Sequence, residues 1–138
     1  MYRILVVDDA ATVRMYHRKL LGDAGWHAEE ALNGVEALER IHSQEGDEAF
    51  DLYVVDVNMP RMDGYSFVRE LRRLEPRHQA PVVMVSTEAQ RQDVDAALDA
   101  GANGYLVKPA QPLDLVLSAA LLLGDREAAR AATQGVRT

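Results

Sequence analysis

Apolar residues arrive along this chain in short continuous bursts, separated by stretches in which they recur every three or four positions. Ile4-Leu5-Val6-Val7, Tyr53-Val54-Val55 and Val82-Val83-Met84-Val85 are unbroken runs, the mark of strands buried on both faces. Trp26 to Ala31 is a weaker, partly polar strand suited to a sheet edge, and Gly104-Tyr105-Leu106-Val107 is a short fifth one. Helical spacing fills the intervals. Val13, Tyr16, Leu20 and Leu21 form one stripe, stopped near Gly22 and Gly25. Val35, Leu38 and Ile41 form a second, after the Asn33-Gly34 turn. Phe67, Val68, Leu71 and Leu74 form a third, broken at Glu75-Pro76. Val94, Ala97 and Leu98 form a fourth, which stops at Gly101. Leu113, Leu117, Ala120 and Leu121 form a fifth, with Pro112 in its first turn. His42 to Phe50 is polar and acidic and reads as a loop. Strict alternation of five strands and five helices predicts an α/β fold, a doubly wound five-stranded parallel sheet with helices on both faces.

The composition narrows what such a fold can do. The 138 residues suit one domain, and 48% hydrophobic with 27% charged residues describes an ordinary globule. There is no cysteine, so disulfides, thiolate chemistry and zinc sites of the Cys type are excluded. The most apolar stretch, Leu115 to Leu123, is too short to span a bilayer, and Met1-Tyr2-Arg3-Ile4 has no signal-peptide layout. A cytoplasmic protein is expected, with no membrane partner. A net charge of −7, from 22 acidic against 15 basic residues, disfavours nucleic acid. Arg72-Arg73 and Arg14, Arg18 and Lys19 are interleaved with acids and read as solvated helix faces.

The strand ends carry the chemistry. In a parallel sheet they share one rim, where ligands of open α/β sheets bind. The first strand brings Asp8 and Asp9, the third Asp56, the fourth Ser86 and Thr87, and the fifth Lys108. Two carboxylates 4 Å apart repel by about 4 kcal/mol at an effective dielectric near 20, so such a trio calls for a cation, protons or both. Mg²⁺ suits it, because that ion takes a few carboxylate or carbonyl oxygens and keeps waters for phosphate oxygens to replace. Lys108 supplies a fixed positive charge for a phosphoryl oxygen, and Ser86 a hydroxyl donor. An ionised Asp beside both is a competent nucleophile toward an activated phosphoryl group. A blander reading stays open for each residue alone: Asp8 or Asp9 as a helix cap, Ser86 as a helix-leading hydroxyl, Lys108 as a solvated lysine.

Four separated stretches, in this order, carry a resemblance. They are Val6-Val7-Asp8-Asp9; Asp56-Val57-Asn58-Met59-Pro60 with Met62-Asp63-Gly64; Met84-Val85-Ser86-Thr87-Glu88-Ala89; and Gly101-Ala102-Asn103-Gly104-Tyr105 with Val107-Lys108-Pro109. Over residues 1–123 the chain resembles the receiver domain of two-component response regulators, most nearly the single-domain chemotaxis regulators of the CheY type. The resemblance implies a flavodoxin-like sheet of order 2-1-3-4-5. It also implies a phosphoprotein with Asp56 as phosphoacceptor. Asp9, Asp56 and the backbone carbonyl of Asn58 would bind Mg²⁺, or Mn²⁺ in its place, with Asp8 acting mostly through water. Lys108 would grip the phosphoryl group, ahead of a cis Lys108-Pro109 peptide. Ser86 and Tyr105 would be the switch pair, flanked by Thr87 and Glu88. A sensor histidine kinase would be the donor. A protein target, such as the flagellar motor switch, would bind the face of helix 4, strand 5 and helix 5. A separate phosphatase is a further possible partner.

Departures from the family pattern are also legible. Val57 replaces the tryptophan of the enteric regulator, and the only Trp, Trp26, lies away from the rim. Thr87 is larger than the usual Ala or Gly, which implies slower self-dephosphorylation. Ala110 replaces a larger apolar residue, and the His42–Phe50 loop is long. Residues 124–138 are expected to be a tail or a continued helix without an output domain. A phosphate sink or relay remains an alternative reading. An aspartate-nucleophile phosphatase of the haloacid dehalogenase type is less well supported, since Asn58 breaks its Asp-x-Asp. A nucleotide or flavin binder lacks a Gly-rich loop after the first strand.

Overall fold

A computed structural model describes residues 1–44 and 48–134. Five strands form one parallel sheet in the order β2-β1-β3-β4-β5. They are β1 (Arg3–Val7), β2 (His27–Ala31), β3 (Leu52–Asp56), β4 (Val82–Ser86) and β5 (Gly104–Val107). The helices between and after them are α1 (Ala11–Asp23), α2 (Gly34–His42), α3 (Gly64–Leu71), α4 (Arg91–Ala100), α5 (Pro112–Leu123) and α6 (Arg126–Thr133). The apolar runs behave as their pattern demands, with Ile4 to Val7, Leu52 to Val55 and Val82 to Val85 all buried. β2 takes the edge, where its Glu29 and Glu30 pair with arginines.

Alternation along the central strands divides the interior in two. Leu5, Val7, Tyr53, Val55 and Met84 pack with α2, α3 and α4 on one face. Ile4, Val6, Leu52, Val54 and Val83 pack with α1 and α5 on the other. Each strand thus contributes to both layers, because successive side chains point to opposite faces.

Several helix faces are rotated from the expected stripes. In α1, His17 and Leu21 are buried, while Tyr16 is 43% exposed. In α4, Ala97 and Ala100 face inward and Leu98 is turned out. In α5, Leu115, Ala119 and Ala120 are buried and Leu121 points to solvent. In α4 and α5 alanines take most of the inward positions, Ala97, Ala100, Ala119 and Ala120, beside the large Leu115. Nor is Arg14 a solvated residue: its side chain is only 11% exposed.

The sixth helix is additional to the five expected. Gly124 at φ 77° closes α5 in the left-handed conformation. Asp125 then caps α6 by accepting from the Ala128 N–H at 3.1 Å, and accepts from Trp26 Nε1 at 2.9 Å. So α6 does not continue α5 but folds back beside it, with Ala128 and Ala129 on the α1–α5 layer. After α2 the chain runs to Phe50 without a regular element among the described residues; residues 45–47 and 135–138 lie outside them. No helix among the described residues is long and apolar enough to cross a membrane.

Candidate functional site

Strand register assembles the rim. Val7 pairs with Val55 and with Ala31, Asp56 with Val85, and Ser86 with Val107. The residue that follows each pairing therefore leaves the sheet at the same level, and Asp8, Asp56, Ser86 and Lys108 converge. Asp8, Asp56 and Ser86 are buried, at 2%, 5% and 0% exposure, while Asp9 is exposed. One carboxylate oxygen from each of Asp8, Asp9 and Asp56 lies within 4.8 Å of the others. The Lys108 ammonium bridges two of these acids, at 2.9 Å from Asp8 Oδ2 and 3.0 Å from Asp56 Oδ1.

The local turns explain how the acids are presented. Asp8 is not a helix cap; its Oδ1 accepts from the Ala10 N–H at 2.9 Å, and Ala10 itself is the first, uncapped position before α1. The Asp8 N–H donates to the Ala31 carbonyl at 3.2 Å, extending the β1–β2 ladder by one residue. Beyond Asp56, Val57 N–H donates to Val85 O, and Gly64 N–H donates to Val57 O. A Cβ on Gly64 would collide with the Asp56 carbonyl and sit 2.7 Å from Met84 Cε, so glycine is what lets the β3–α3 loop close under the acid. Asn58 is exposed, and its N–H approaches Asp56 Oδ1 at 3.4 Å. The Lys108–Pro109 peptide is cis.

Burial pushes the Asp56 carboxyl up to about 6, with the nearby Asp8 charge adding to it and the Lys108 hydrogen bond opposing it. Burial pulls the Lys108 ammonium down, but its hydrogen bonds to Asp8 and Asp56 outweigh that and its pKa ends raised. At neutral pH Asp56 is thus mostly ionised, with the Lys108 ammonium between it and Asp8. Three acids against one ammonium leave a negative excess, and their oxygens lie close enough to share one divalent ion. The donor set, all oxygen and part buried, fits Mg²⁺ or Mn²⁺ rather than a softer metal.

The remaining rim residues form a second linked group. Ser86 Oγ accepts from the Glu88 N–H at 3.0 Å, and the Glu88 carbonyl accepts from the Tyr105 hydroxyl at 2.8 Å. Thr87 and Glu88 are exposed, and Tyr105 is half-buried against the α4 side of the core. The structure brings together every residue expected from the strand ends. Sequence reasoning missed two neighbours. His17 is buried in α1, and burial lowers its pKa, with the Asp8 charge opposing and the Lys108 charge assisting. Arg14 reaches the Asp8 carbonyl and Glu30. The signal for Arg14 was its place five residues after Asp9, about one turn into α1, with Glu30 on the adjacent edge strand.

Comparison with known proteins agrees with this rim. Residues 4–120 match the family model described as "Response regulator receiver domain". The chain is 43% identical over 108 residues to "Chemotaxis protein CheY" of Pseudomonas aeruginosa, covering 78% of this chain and 84% of that one. It is 41% identical to "Chemotaxis protein CheY-3" of Vibrio cholerae, covering 78% and 80%. Among solved structures, chemotaxis protein CheY4 of Vibrio cholerae superposes with a TM-score of 0.80 at 33% identity, covering 88% of this chain and 98% of that one. The receiver domain of a sensor histidine kinase from Pseudomonas aeruginosa superposes with a TM-score of 0.79 at 27% identity, covering 90% and 98%; it is described with a magnesium ion coordinated in its active-site cleft.

Proposed function

The chain belongs to the response regulator receiver domain family, and from that premise we propose that it is a phosphorylation-driven switch, with Asp56 as its phosphoacceptor. Lys108 carries the reading. Its ammonium stands between Asp8 and Asp56, where an oxygen of a phosphoryl group on Asp56 would meet it. An Asp56 oxygen attacks the phosphorus of a phosphohistidine on a sensor kinase; the P–O bond forms as the P–N bond breaks, and the electron pair returns to the imidazole. A carboxyl near 6 is mostly ionised at neutral pH and so is ready to attack. Asp8, Asp9, Asp56 and the Asn58 carbonyl would hold Mg²⁺, which supplies charge neutralisation on the phosphoryl oxygens.

The shared tie to Glu88 suggests how arrival is reported. If Ser86 Oγ turns toward a phosphoryl oxygen, it releases the Glu88 N–H, and the carbonyl that holds the Tyr105 hydroxyl is freed to move with it. Tyr105 then swings inward and the face of α4, β5 and α5 changes its affinity for a protein partner. The protein turns over no separate substrate on this reading. Chemotaxis is the proposed setting, by likeness to the Pseudomonas and Vibrio relatives, with the flagellar motor as one such partner. A phosphate-sink or relay role would use the same Asp56 without that partner.

The test is incubation with a small phosphodonor and Mg²⁺, followed by intact mass. Wild type should gain one phosphoryl group in a Mg²⁺-dependent way and Asp56→Asn none; equal labelling of both would refute the assignment. A pull-down with phosphorylated and unphosphorylated protein separates switch from sink.

A further inference from the structure

Asp9 is the least supported member of the acid trio. It is exposed, and among the described residues its carboxylate accepts no hydrogen bond from the protein. Its direction is therefore set by the backbone, through the peptide that joins it to Asp8. That peptide's carbonyl, Asp8 O, accepts from Arg14 Nη1 at 2.7 Å. The same guanidinium donates from Nε to Glu30 Oε1 at 3.1 Å, and Glu30 Oε2 accepts from Arg18 Nη1 at 2.9 Å. Glu30 lies on β2, in register with Val6 of β1. The arginine thus spans from the edge strand to the turn that carries both acids. At 11% exposure it has given up most of its hydration to do so, which a guanidinium rarely does without fixed partners.

We infer that Arg14 is a positioning residue for the cation site, holding the Asp8–Asp9 peptide so that both carboxylates face the ion. The inference rests on the metal-assisted reading above and adds a residue to it. Its effect has a sign that simple electrostatics does not share. Arg14 is a cation close to a site for a cation, so deleting its charge alone would tighten Mg²⁺ binding. Deleting the hydrogen bond that orients the turn would weaken it, as loss of groups orienting metal ligands does in other sites, by tenfold or more.

The experiment is direct Mg²⁺ titration by calorimetry of the full chain, with thermal unfolding in chelator measured alongside. Arg14→Met should raise the Mg²⁺ Kd about tenfold. Arg14→Lys keeps the charge but cannot serve both Asp8 O and Glu30, and should fall between wild type and Arg14→Met. Arg18→Met, which touches Glu30 alone, should bind as wild type does. Unchanged or tighter binding by Arg14→Met overturns the inference, as does a lower Tm with an unchanged Kd, which is what a merely structural arginine would give. If Arg14→Met does not fold, Arg14→Lys decides, and a wild-type Kd in it is a refutation. Failure of the wild type itself to bind Mg²⁺ defeats the proposed function, before any variant is compared.

Discussion

Replacing Asp56 with asparagine should stabilise the protein, and by an amount that depends on pH. The acid is 5% exposed, and its carboxyl is pushed from 3.8 to about 6, mainly by burial. A raised carboxyl binds its proton more tightly in the folded chain than in the unfolded one. Below the unfolded value of 3.8 both states are protonated and folding carries no penalty. As pH rises from about 4 toward 6 the unfolded chain ionises first and the folded state becomes relatively less stable. Each pKa step of one is worth about 1.4 kcal/mol, so at pH 7 the penalty reaches about 3 kcal/mol. Asparagine has nearly the same shape, keeps an oxygen for Lys108 and never ionises. Urea unfolding in chelator should therefore find Asp56→Asn equal to wild type near pH 4 and more stable by up to about 3 kcal/mol at pH 7. Mg²⁺ should narrow the gap, since at one hundred times its Kd a ligand adds about 2.7 kcal/mol to the state that binds it. A difference that stays constant with pH, or an asparagine variant less stable at pH 7, would show that Asp56 is not the strained group described here.

Two other perturbations test separate parts of the molecule. Thr87 lines a cavity of about 220 Å³ with Val13, Tyr16, His17, Lys108 and Pro109, so it stands beside Lys108 and the proposed phosphoryl site; Thr87→Ala should open water's path and speed loss of the phosphoryl group severalfold, and an unchanged decay rate would remove Thr87 from that role. Asp125→Ala removes the cap of α6 and the partner of Trp26 Nε1 and should loosen α6; faster proteolysis after Gly124 and a red-shifted Trp26 emission should follow, and neither should change on adding Mg²⁺.

The legible part of this fold was the part written in consecutive residues. Ile4–Val7, Tyr53–Val55 and Val82–Val85 are apolar without a break, and only a strand covered on both faces asks for that. Once they are parallel, whatever follows them meets at one rim, which is why Asp8, Asp56, Ser86 and Lys108 could be placed together before any coordinates. Helix faces were harder. In α5 the run Leu115-Val116-Leu117-Ser118-Ala119-Ala120 is apolar nearly all round, so hydrophobicity offers no phase, and contact with the sheet selects Leu115, Ala119 and Ala120. In α1 the pattern favoured Tyr16, yet the imidazole of His17 is the ring that faces in. Long-range polar ties away from the strand ends left little trace. Trp26 and Asp125 are 99 positions apart, and nothing local to either announces the other. Arg14 looked like any arginine on a helix surface until its partners were known.

The split interior has a consequence for how information can cross the molecule. The sheet is one residue thick, with α1 and α5 leaning on one side and α2, α3 and α4 on the other, and the two sets of side chains do not mingle through it. A repacking event in one layer is therefore walled off from the other, and substitutions such as Leu115→Val and Phe67→Leu should add independently. The exceptions are the residues at the open end of the wall. Lys108, one residue past β5, touches acids from β1 and β3. Traffic between the layers would have to go over the top, past the acids, which would make the rim a toll gate as well as the proposed phosphoryl site.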